Sequence, residues 1–169
     1  FMHWKDYEPE LHQKIVEASL KRTREFHYKI LGYDKAPSAV RKSQENVENA
    51  NLSEYITVER KDFFYTEKPM DGPLLMVFNP PYGERLPIDV DEFYAKIGDT
   101  LKQSYPGTKA WMITSNLEAL KHVGLRPSQK IKAFNGKLEA KFVQYEIYEG
   151  SRKAKHQKNQ SCSLYTSYA

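Results

Sequence analysis

The sequence is poor in cysteine, with Cys162 as the single thiol among 169 residues. One thiol excludes a disulfide within the chain and a cysteine-based metal site, and it fits a reducing compartment, most simply the cytoplasm. No apolar run approaches the roughly 20 residues of a transmembrane helix, and no signal-peptide pattern opens the chain. The five histidines are scattered without metal-ligand spacing. These absences predict a cytoplasmic protein without a membrane segment or a metal centre.

Most of the chain also lacks an excess of either charge. All 22 acidic residues and 22 of the 26 basic residues lie between positions 1 and 149. The net charge of +4 therefore arises in segment 151–169, from Arg152, Lys153, Lys155 and Lys158. Such a tail is typical of a solvated, disordered terminus, and a polyanion such as RNA is the partner it would favour. With 40% apolar residues overall, residues 1–150 predict one compact domain with a real core.

Hydrophobic periodicity predicts alternating helices and strands. Helices are expected at 9–25, 36–52, 89–105 and 117–124, and strands at 28–34, 56–64, 73–79, 108–116, 127–136 and 137–150. This alternation predicts an α/β fold with a mostly parallel, doubly wound, Rossmann-like sheet. The Asn135-Gly136 pair between the last two strands predicts an antiparallel hairpin. The run PLLMVFN predicts a strand that is buried on both faces.

Three predicted strands end in Asp34, Asp62 and Asn79. Ligands of open α/β sheets bind at the carboxyl ends of the strands. Asp34 is suited to accept hydrogen bonds from ribose hydroxyls, and Asp62 from an exocyclic amine such as that of adenine, with Phe63 packing on the ring. Taken singly, each acid is better explained as a turn or capping residue. Together, at the ends of neighbouring strands, the two acids predict a nucleoside pocket.

The segment Asn79-Pro80-Pro81-Tyr82 directly follows the apolar run. The two prolines lack N–H groups and stiffen the turn, so its carbonyls are left to point outward beside the side-chain carbonyl of Asn79. Two such acceptors match the hydrogens of an –NH₂ group, and Tyr82 would stack on the ring that carries it. The alternative is a rigid turn without a function. The motif predicts catalysis at a planar amine by geometry and electrostatics rather than by a strong base.

The longer string NPPYGERL resembles bacterial ribosomal RNA guanine-N2 methyltransferases, the RlmL-like enzymes of the class I S-adenosylmethionine-dependent family. GYDKAPSAVRKSQENVENANL, ITSN and NGKLEAKFVQYEIYEG carry the same resemblance over residues 1–150. It implies S-adenosyl-L-methionine as methyl donor and the N2 amine of a guanine in RNA as acceptor, most simply 23S ribosomal RNA. It also implies an RNA-binding THUMP domain upstream.

The resemblance assigns roles by position. The residues implied to bind the donor are Asp34, Lys35, Ala36, Asp62, Phe63 and Asn79, with Asp34 at the ribose and Asp62 at adenine. The implied catalytic residues are Asn79, Pro80, Pro81 and Tyr82. Arg85 would contact an RNA phosphate or brace its loop through Glu84.

One departure from the family pattern is the absence of any Gly-x-Gly in the sequence. The family's first strand and glycine-rich turn should precede the first helix, so the chain is expected to be a C-terminal catalytic fragment, incomplete at its N-terminus and weakly active or inactive alone. Other N-methyltransferases of planar amines stay open, because NPPY also serves enzymes acting on DNA adenine, tRNA guanine or protein glutamine. An inactive domain that binds only RNA or a partner chain is the third reading. GERL and the hairpin favour RNA.

Overall fold

A computed structural model of the chain describes residues 1–81 and 89–149. The chain divides into two compact units, Phe1–Lys61 and the part from Asp62 onward. The predicted boundary near Gly150 and the basic tail lie outside the described residues. Among the helices in the described ranges, none has the length and hydropathy of a membrane-crossing segment.

The first unit contains two helices and two parallel strands. Its elements in chain order are α1 (Pro9–Leu20), β1 (Ile30–Asp34), α2 (Pro37–Asn49) and β2 (Ile56–Arg60). Both helices begin with proline, whose fixed φ suits a first turn. The strands pair in register from Ile30 opposite Ile56 to Asp34 opposite Arg60. Helix α2 buries Val40, whereas α1 buries no residue.

The second unit contains a four-stranded sheet and one long helix. Its elements are a 3₁₀ turn (Phe63–Tyr65), β3 (Leu74–Phe78), α3 (Val90–Ser104), β4 (Thr108–Thr114), a 3₁₀ turn (Ala119–Lys121), β5 (Gln129–Asn135) and β6 (Leu138–Glu146). The strand order is β3-β4-β6-β5, with β3 parallel to β4 and both pairs involving β6 antiparallel. The predicted α/β class and hairpin are confirmed, with the strands divided between two hydrogen-bonded sheets.

The core of the second unit lies between α3 and one face of its sheet. Its buried residues include Tyr94, Ile97, Leu101, Ala110, Met112, Val123, Val143 and Tyr145. Asp89 caps the start of α3, because its carboxylate accepts hydrogen bonds from the backbone N–H groups of Asp91 and Glu92. This cap satisfies two of the N–H groups that a helix start leaves without partners.

Several predicted boundaries were too long. Helix α1 ends at Leu20 rather than Glu25, and β2 ends at Arg60. The predicted helix at 117–124 is a 3₁₀ turn of three residues, although Gly124 does follow it with a φ of 65°. Hydrophobic periodicity does not mark the residue at which a helix or strand ends, so the predicted elements extend too far.

The prediction that β3 is buried on both faces was wrong. Leu75 and Val77 are 65% and 63% exposed, whereas Met76 and Phe78 pack against the core cluster. Side chains alternate along a strand, so only one of the two sets can face α3. In the strand order of the described sheet, β3 is an outer strand.

Candidate active site

The Asn-Pro-Pro segment begins where β3 stops. The pairing of β3 with β4 ends at Phe78 opposite Met112, and Asn79 is the next residue. Asn79 is exposed, Pro80 is buried and Pro81 is exposed. Proline cannot donate to a strand ladder, so pairing stops here, while the buried Pro80 ring anchors the turn. The fold thus presents Asn79 at the carboxyl edge of the parallel β3–β4 pair.

A polar network holds the neighbouring strand end. The Thr114 hydroxyl lies 2.6 Å from the Tyr94 hydroxyl and accepts a hydrogen bond of 3.0 Å from the Asn116 backbone N–H. The Asn116 side-chain oxygen in turn accepts a bond from the Ala119 N–H at 3.1 Å. Thr114 and Tyr94 are both fully buried. These bonds stiffen the loop after β4, which shares the carboxyl edge with Asn79 because β3 and β4 are parallel.

Sequence reasoning did not assign a role to Thr114, Tyr94 or Asn116. The two hydroxyls are 20 residues apart in sequence, and no short-range pattern links them. Asn116 stands in the ITSN segment that contributed to the family resemblance. That segment was the one available signal for this part of the edge.

The structure brings Asp62 and Phe63 close to the end of β3. A ring stack with centroids 5.7 Å apart and planes at 21° joins Phe63 to Phe78, the residue before Asn79. Phe63 also stacks on Tyr105 at 5.8 Å. The Asp62 carboxylate accepts a bond of 3.2 Å from the Phe64 N–H and so caps the 3₁₀ turn. Three predicted site residues therefore lie in one region of the second unit: Asp62, Phe63 and Asn79.

The first unit carries Asp34, Lys35 and Ala36 in the turn between β1 and α2. The Asp34 carboxylate accepts a 2.7 Å hydrogen bond from the Ala36 N–H, and the Lys35 carbonyl accepts one of 3.2 Å from Arg60 Nε. Asp34 thus shapes its own turn, as the simpler explanation of this residue expected. Its side chain is nonetheless exposed at the last residue of β1. An exposed carboxylate at this position remains able to accept further hydrogen bonds.

An ion pair lies at the end of β2, between a residue of the strand and the first residue after it. Lys61 Nζ is 2.7 Å from a Glu59 carboxylate oxygen and 4.6 Å from the centre of the Tyr33 ring. The hydrogen bond to Glu59 is the main cause that raises the pKa of Lys61 above its ordinary value. The Lys61 backbone N–H donates a hydrogen bond of 3.0 Å to the Asp34 carbonyl, so this ion pair lies beside the turn that follows β1.

Four motif residues, Tyr82, Gly83, Glu84 and Arg85, belong to segment 82–88, which lies outside the described residues. Their assigned roles stay predictions. Within 1–81 and 89–149, no group of three or more His, Cys, Asp or Glu side chains is arranged to hold a metal ion.

Solved structures define the class to which this architecture belongs. A crystal structure of a putative methyltransferase complexed with SAH matches 89% of this chain and 40% of its own, with a TM-score of 0.73 at 20% identity. A possible methylase from Clostridium difficile 630 matches the same shares at a TM-score of 0.71 and 25% identity. The fold is that of the class I S-adenosylmethionine-dependent methyltransferases.

Sequence comparison identifies the family. The model of the family described as "RMKL-like, methyltransferase domain" matches residues 2–144, and the chain belongs to this family. A ribosomal RNA large subunit methyltransferase K/L from Syntrophotalea carbinolica is 32% identical over 158 residues, or 88% of this chain and 22% of the relative. Its namesake from Cellvibrio japonicus is 36% identical over 124 residues, 70% of this chain and 16% of the relative.

This membership confirms the predicted family. Together with the neighbouring structure complexed with SAH, it also confirms the predicted methyl donor, S-adenosyl-L-methionine. The chain spans about a fifth of the length of the curated relatives that it matches.

Proposed function

We propose that this chain is the catalytic part of an enzyme that transfers a methyl group from S-adenosyl-L-methionine to the exocyclic N2 amine of a guanine in RNA. Large-subunit (23S) ribosomal RNA is the favoured substrate, because the curated relatives are named for that activity. The observation that carries the proposal is the position of Asn79 and Pro80 at the carboxyl end of β3, directly after its last paired residue. The cytoplasmic location and the upstream THUMP domain remain predictions from the sequence.

Asn79 and Pro80 would act on the nucleophile. The lone pair of an exocyclic amine is delocalised into its ring, so the nitrogen is a poor nucleophile. The Asn79 side-chain carbonyl and the Pro80 backbone carbonyl would each accept a hydrogen bond from one of the two N–H groups. Acceptors outside the ring plane favour a pyramidal nitrogen, which localises the lone pair for attack. Tyr82 would stack on the base and hold it in line.

When bound, S-adenosyl-L-methionine would supply a methyl group on a positively charged sulfur. Asn79 and Pro80 would hold the guanine N2 with its lone pair directed at that methyl group, and the amine would lose its proton to water once the methyl group has left the sulfur for the nitrogen. No strong base is needed for this order of events, because the proton leaves only after the nitrogen has become cationic. This agrees with a motif that offers acceptors rather than a general base.

The residues present fit part of the donor. The exposed carboxylate of Asp34 suits the ribose hydroxyls, with Lys35 and Ala36 in the same turn. Asp62 and Phe63 suit the adenine, although Phe63 also packs on Phe78 and Tyr105. The sequence contains no Gly-x-Gly turn, so the methionine end of the donor is assigned to no residue of this chain.

The test places this chain in the context of a longer relative. In the Syntrophotalea carbinolica enzyme, the matching segment is replaced by this chain, and the chimera is incubated with labelled donor and unmodified ribosomal RNA. Digestion to nucleosides and mass spectrometry should yield N2-methylguanosine. Asn79→Ala should lower the rate on the order of 10²-fold or more, the effect of removing one preorganised hydrogen-bond partner.

The matched control is Asn46→Ala, which removes the same side chain from the exposed surface of α2 and should leave the rate unchanged. Parallel reactions contain transfer RNA, DNA and a glutamine-containing protein. Methylation of one of these in place of ribosomal RNA would show that ribosomal RNA is not the substrate. Full activity of the Asn79→Ala chimera would refute the catalytic role of Asn79. Donor binding without methyl transfer to any of these substrates would favour an inactive domain that binds only RNA or a partner chain.

A further inference from the structure

The β5–β6 hairpin extends past the edge of the sheet at which Asn79 lies. Strand β4 ends at Thr114, which pairs with Lys141 of β6. The hairpin continues for three more pairs, up to Asn135 opposite Leu138. At about 3.4 Å per residue, its tip reaches roughly 10 Å beyond the carboxyl end of β4. Because β3 runs parallel to β4, the tip projects in the direction of the Asn-Pro-Pro turn.

The tip carries an exposed aromatic ring and an exposed cation. Phe134 is 65% exposed and Leu138 is 58% exposed. Lys137 occupies the turn after Gly136, is exposed, and forms no ion pair with any residue in the described ranges. Lys132, in contrast, is bound to the Glu139 carboxylate at 3.0 Å and lies 5.3 Å from the Phe134 ring centre.

Protection of a sheet edge explains only part of this arrangement. Strand β5 is an outer strand of its sheet, and exposed lysines such as Lys130 and Lys132 are typical of edges that avoid pairing with other chains. An exposed phenyl ring and an exposed leucine at the tip serve no such purpose. A flat ring beside cations is the combination that binds single-stranded nucleic acid, through base stacking and phosphate attraction.

We propose that the tip of the β5–β6 hairpin is an RNA contact, in which an unpaired base that flanks the target stacks on Phe134 and the adjoining phosphate lies against Lys137. The nature of the nucleic acid rests on the proposed function. Three strand spacings of about 4.8 Å separate β3 from β5 in the sheet order, so the tip lies roughly 15 Å to the side of the reacting edge. That offset suits a neighbouring nucleotide rather than the target base itself.

The first experiment measures fluorescence anisotropy of a short labelled single-stranded RNA with a central guanine, titrated with the 169-residue chain. Phe134→Leu keeps an apolar side chain but removes the flat ring, and should raise the Kd about 5- to 150-fold. Phe134→Tyr keeps the ring and should bind as the unchanged chain does. Ile131→Ala alters another exposed apolar residue of the same strand and serves as the matched control.

The lysine is tested by salt dependence. Lys137→Gln should reduce the slope of log K against log salt by about 0.7, the value for one phosphate contact on a single strand. Lys130→Gln changes another exposed lysine, which lies away from the tip, and should leave the slope unchanged. Heparin, a polyanion without bases, should bind the Phe134→Leu variant as tightly as the unchanged chain.

Three results would overturn the proposal. The first is that the unchanged chain binds no RNA, the second that Phe134→Leu binds RNA as tightly as the unchanged chain, and the third that Phe134→Leu loses as much affinity for heparin as for RNA. Circular dichroism of each variant confirms that it is folded. The outcome is separable from the proposed function, which is read from transfer in the chimera. Normal RNA binding by Phe134→Leu together with transfer that depends on Asn79 refutes the hairpin contact alone. Weakened binding by Phe134→Leu with no transfer refutes the proposed function alone.

Discussion

Gly98 in the middle of α3 should be intolerant of the smallest side chain. A Cβ added to Gly98 would lie 1.7 Å from the Val123 carbonyl oxygen and 2.8 Å from its carbonyl carbon. Non-bonded atoms pack at about 3.5–4 Å, so helix and turn would have to separate by about 2 Å. The obstacle is backbone and therefore cannot rotate away.

The size of the effect follows from what this separation disturbs. Val123 and Ala119 are buried against α3 as part of the core cluster. Overpacking a core costs about 1–3 kcal/mol, and partial withdrawal of Val123 forfeits a share of the roughly 1.5–3 kcal/mol that its burial contributes. Alanine in place of a helical glycine offsets about 1 kcal/mol. Gly98→Ala should lower the free energy of unfolding by about 2–4 kcal/mol.

The assay is urea unfolding followed by tryptophan fluorescence. Trp111 stacks on Phe142 in the four-stranded sheet, whereas Trp4 is exposed in the first unit. A Trp4→Phe background therefore restricts the signal to the second unit. Asp99→Ala is the control, because it introduces the same residue on the exposed side and removes only a surface ion pair with Lys102.

The control should change the free energy of unfolding by less than about 0.5 kcal/mol. Helix propensity alone predicts that Gly98→Ala stabilises the protein. An unfolding midpoint for Gly98→Ala at or above that of the unchanged chain would therefore refute the close approach of α3 and the Val123 turn.

Three further substitutions test the second unit by the same unfolding assay. Asp89→Ala should lower the free energy of unfolding by about 1 kcal/mol, because it removes the α3 cap, and Asp89→Asn should restore most of it. Thr114→Val should cost about 1–3 kcal/mol by depriving the Tyr94 hydroxyl and the Asn116 N–H of a partner, whereas Thr114→Ser should be mild. Burial, with a smaller effect of Tyr94, raises the pKa of Tyr145 from 10.0 to about 12, so between pH 10 and 12 the free energy of unfolding should fall by about 2 kcal/mol more in the unchanged chain than in Tyr145→Phe.

The sign of the Tyr145 effect follows from proton binding. Between pH 10 and 12 the unfolded chain loses the phenol proton and the folded chain retains it, which favours the unfolded state as pH rises. Equal pH profiles for the unchanged chain and Tyr145→Phe would contradict this account. Because the buried Tyr145 hydroxyl has no hydrogen-bond partner within residues 1–81 and 89–149, Tyr145→Phe should be no less stable at neutral pH. If Asp89→Ala or Thr114→Val does not lower the free energy of unfolding, the role given to that side chain is excluded.

Features that depend on neighbours in the chain were predictable from the sequence. The prolines at positions 9 and 37 begin helices, Asp89 caps α3, and Gly136 takes the positive φ of 62° in the hairpin turn. Pro80 and Pro81 end the pairing of β3 as expected. Steric limits on φ and local hydrogen bonds decide each of these, and they act within a few residues.

Other features depended on which elements meet in space. The sequence of β3 is apolar throughout, yet the sheet order left Leu75 and Val77 exposed. Gly98 looks like a weak point in a helix until Val123 is seen against it. Stacking of Phe63 on Phe78 also joins residues of separate elements.

The sequence by itself therefore determined the helix starts, the hairpin turn, the family and the stiff Asn-Pro-Pro segment that ends β3. The tertiary structure alone decided which face of β3 is covered, why α3 needs a glycine and how buried hydroxyls brace the edge beside Asn79. The physical reason is range: backbone sterics and capping act along the chain, whereas packing and burial arise only when distant segments exclude water from one another.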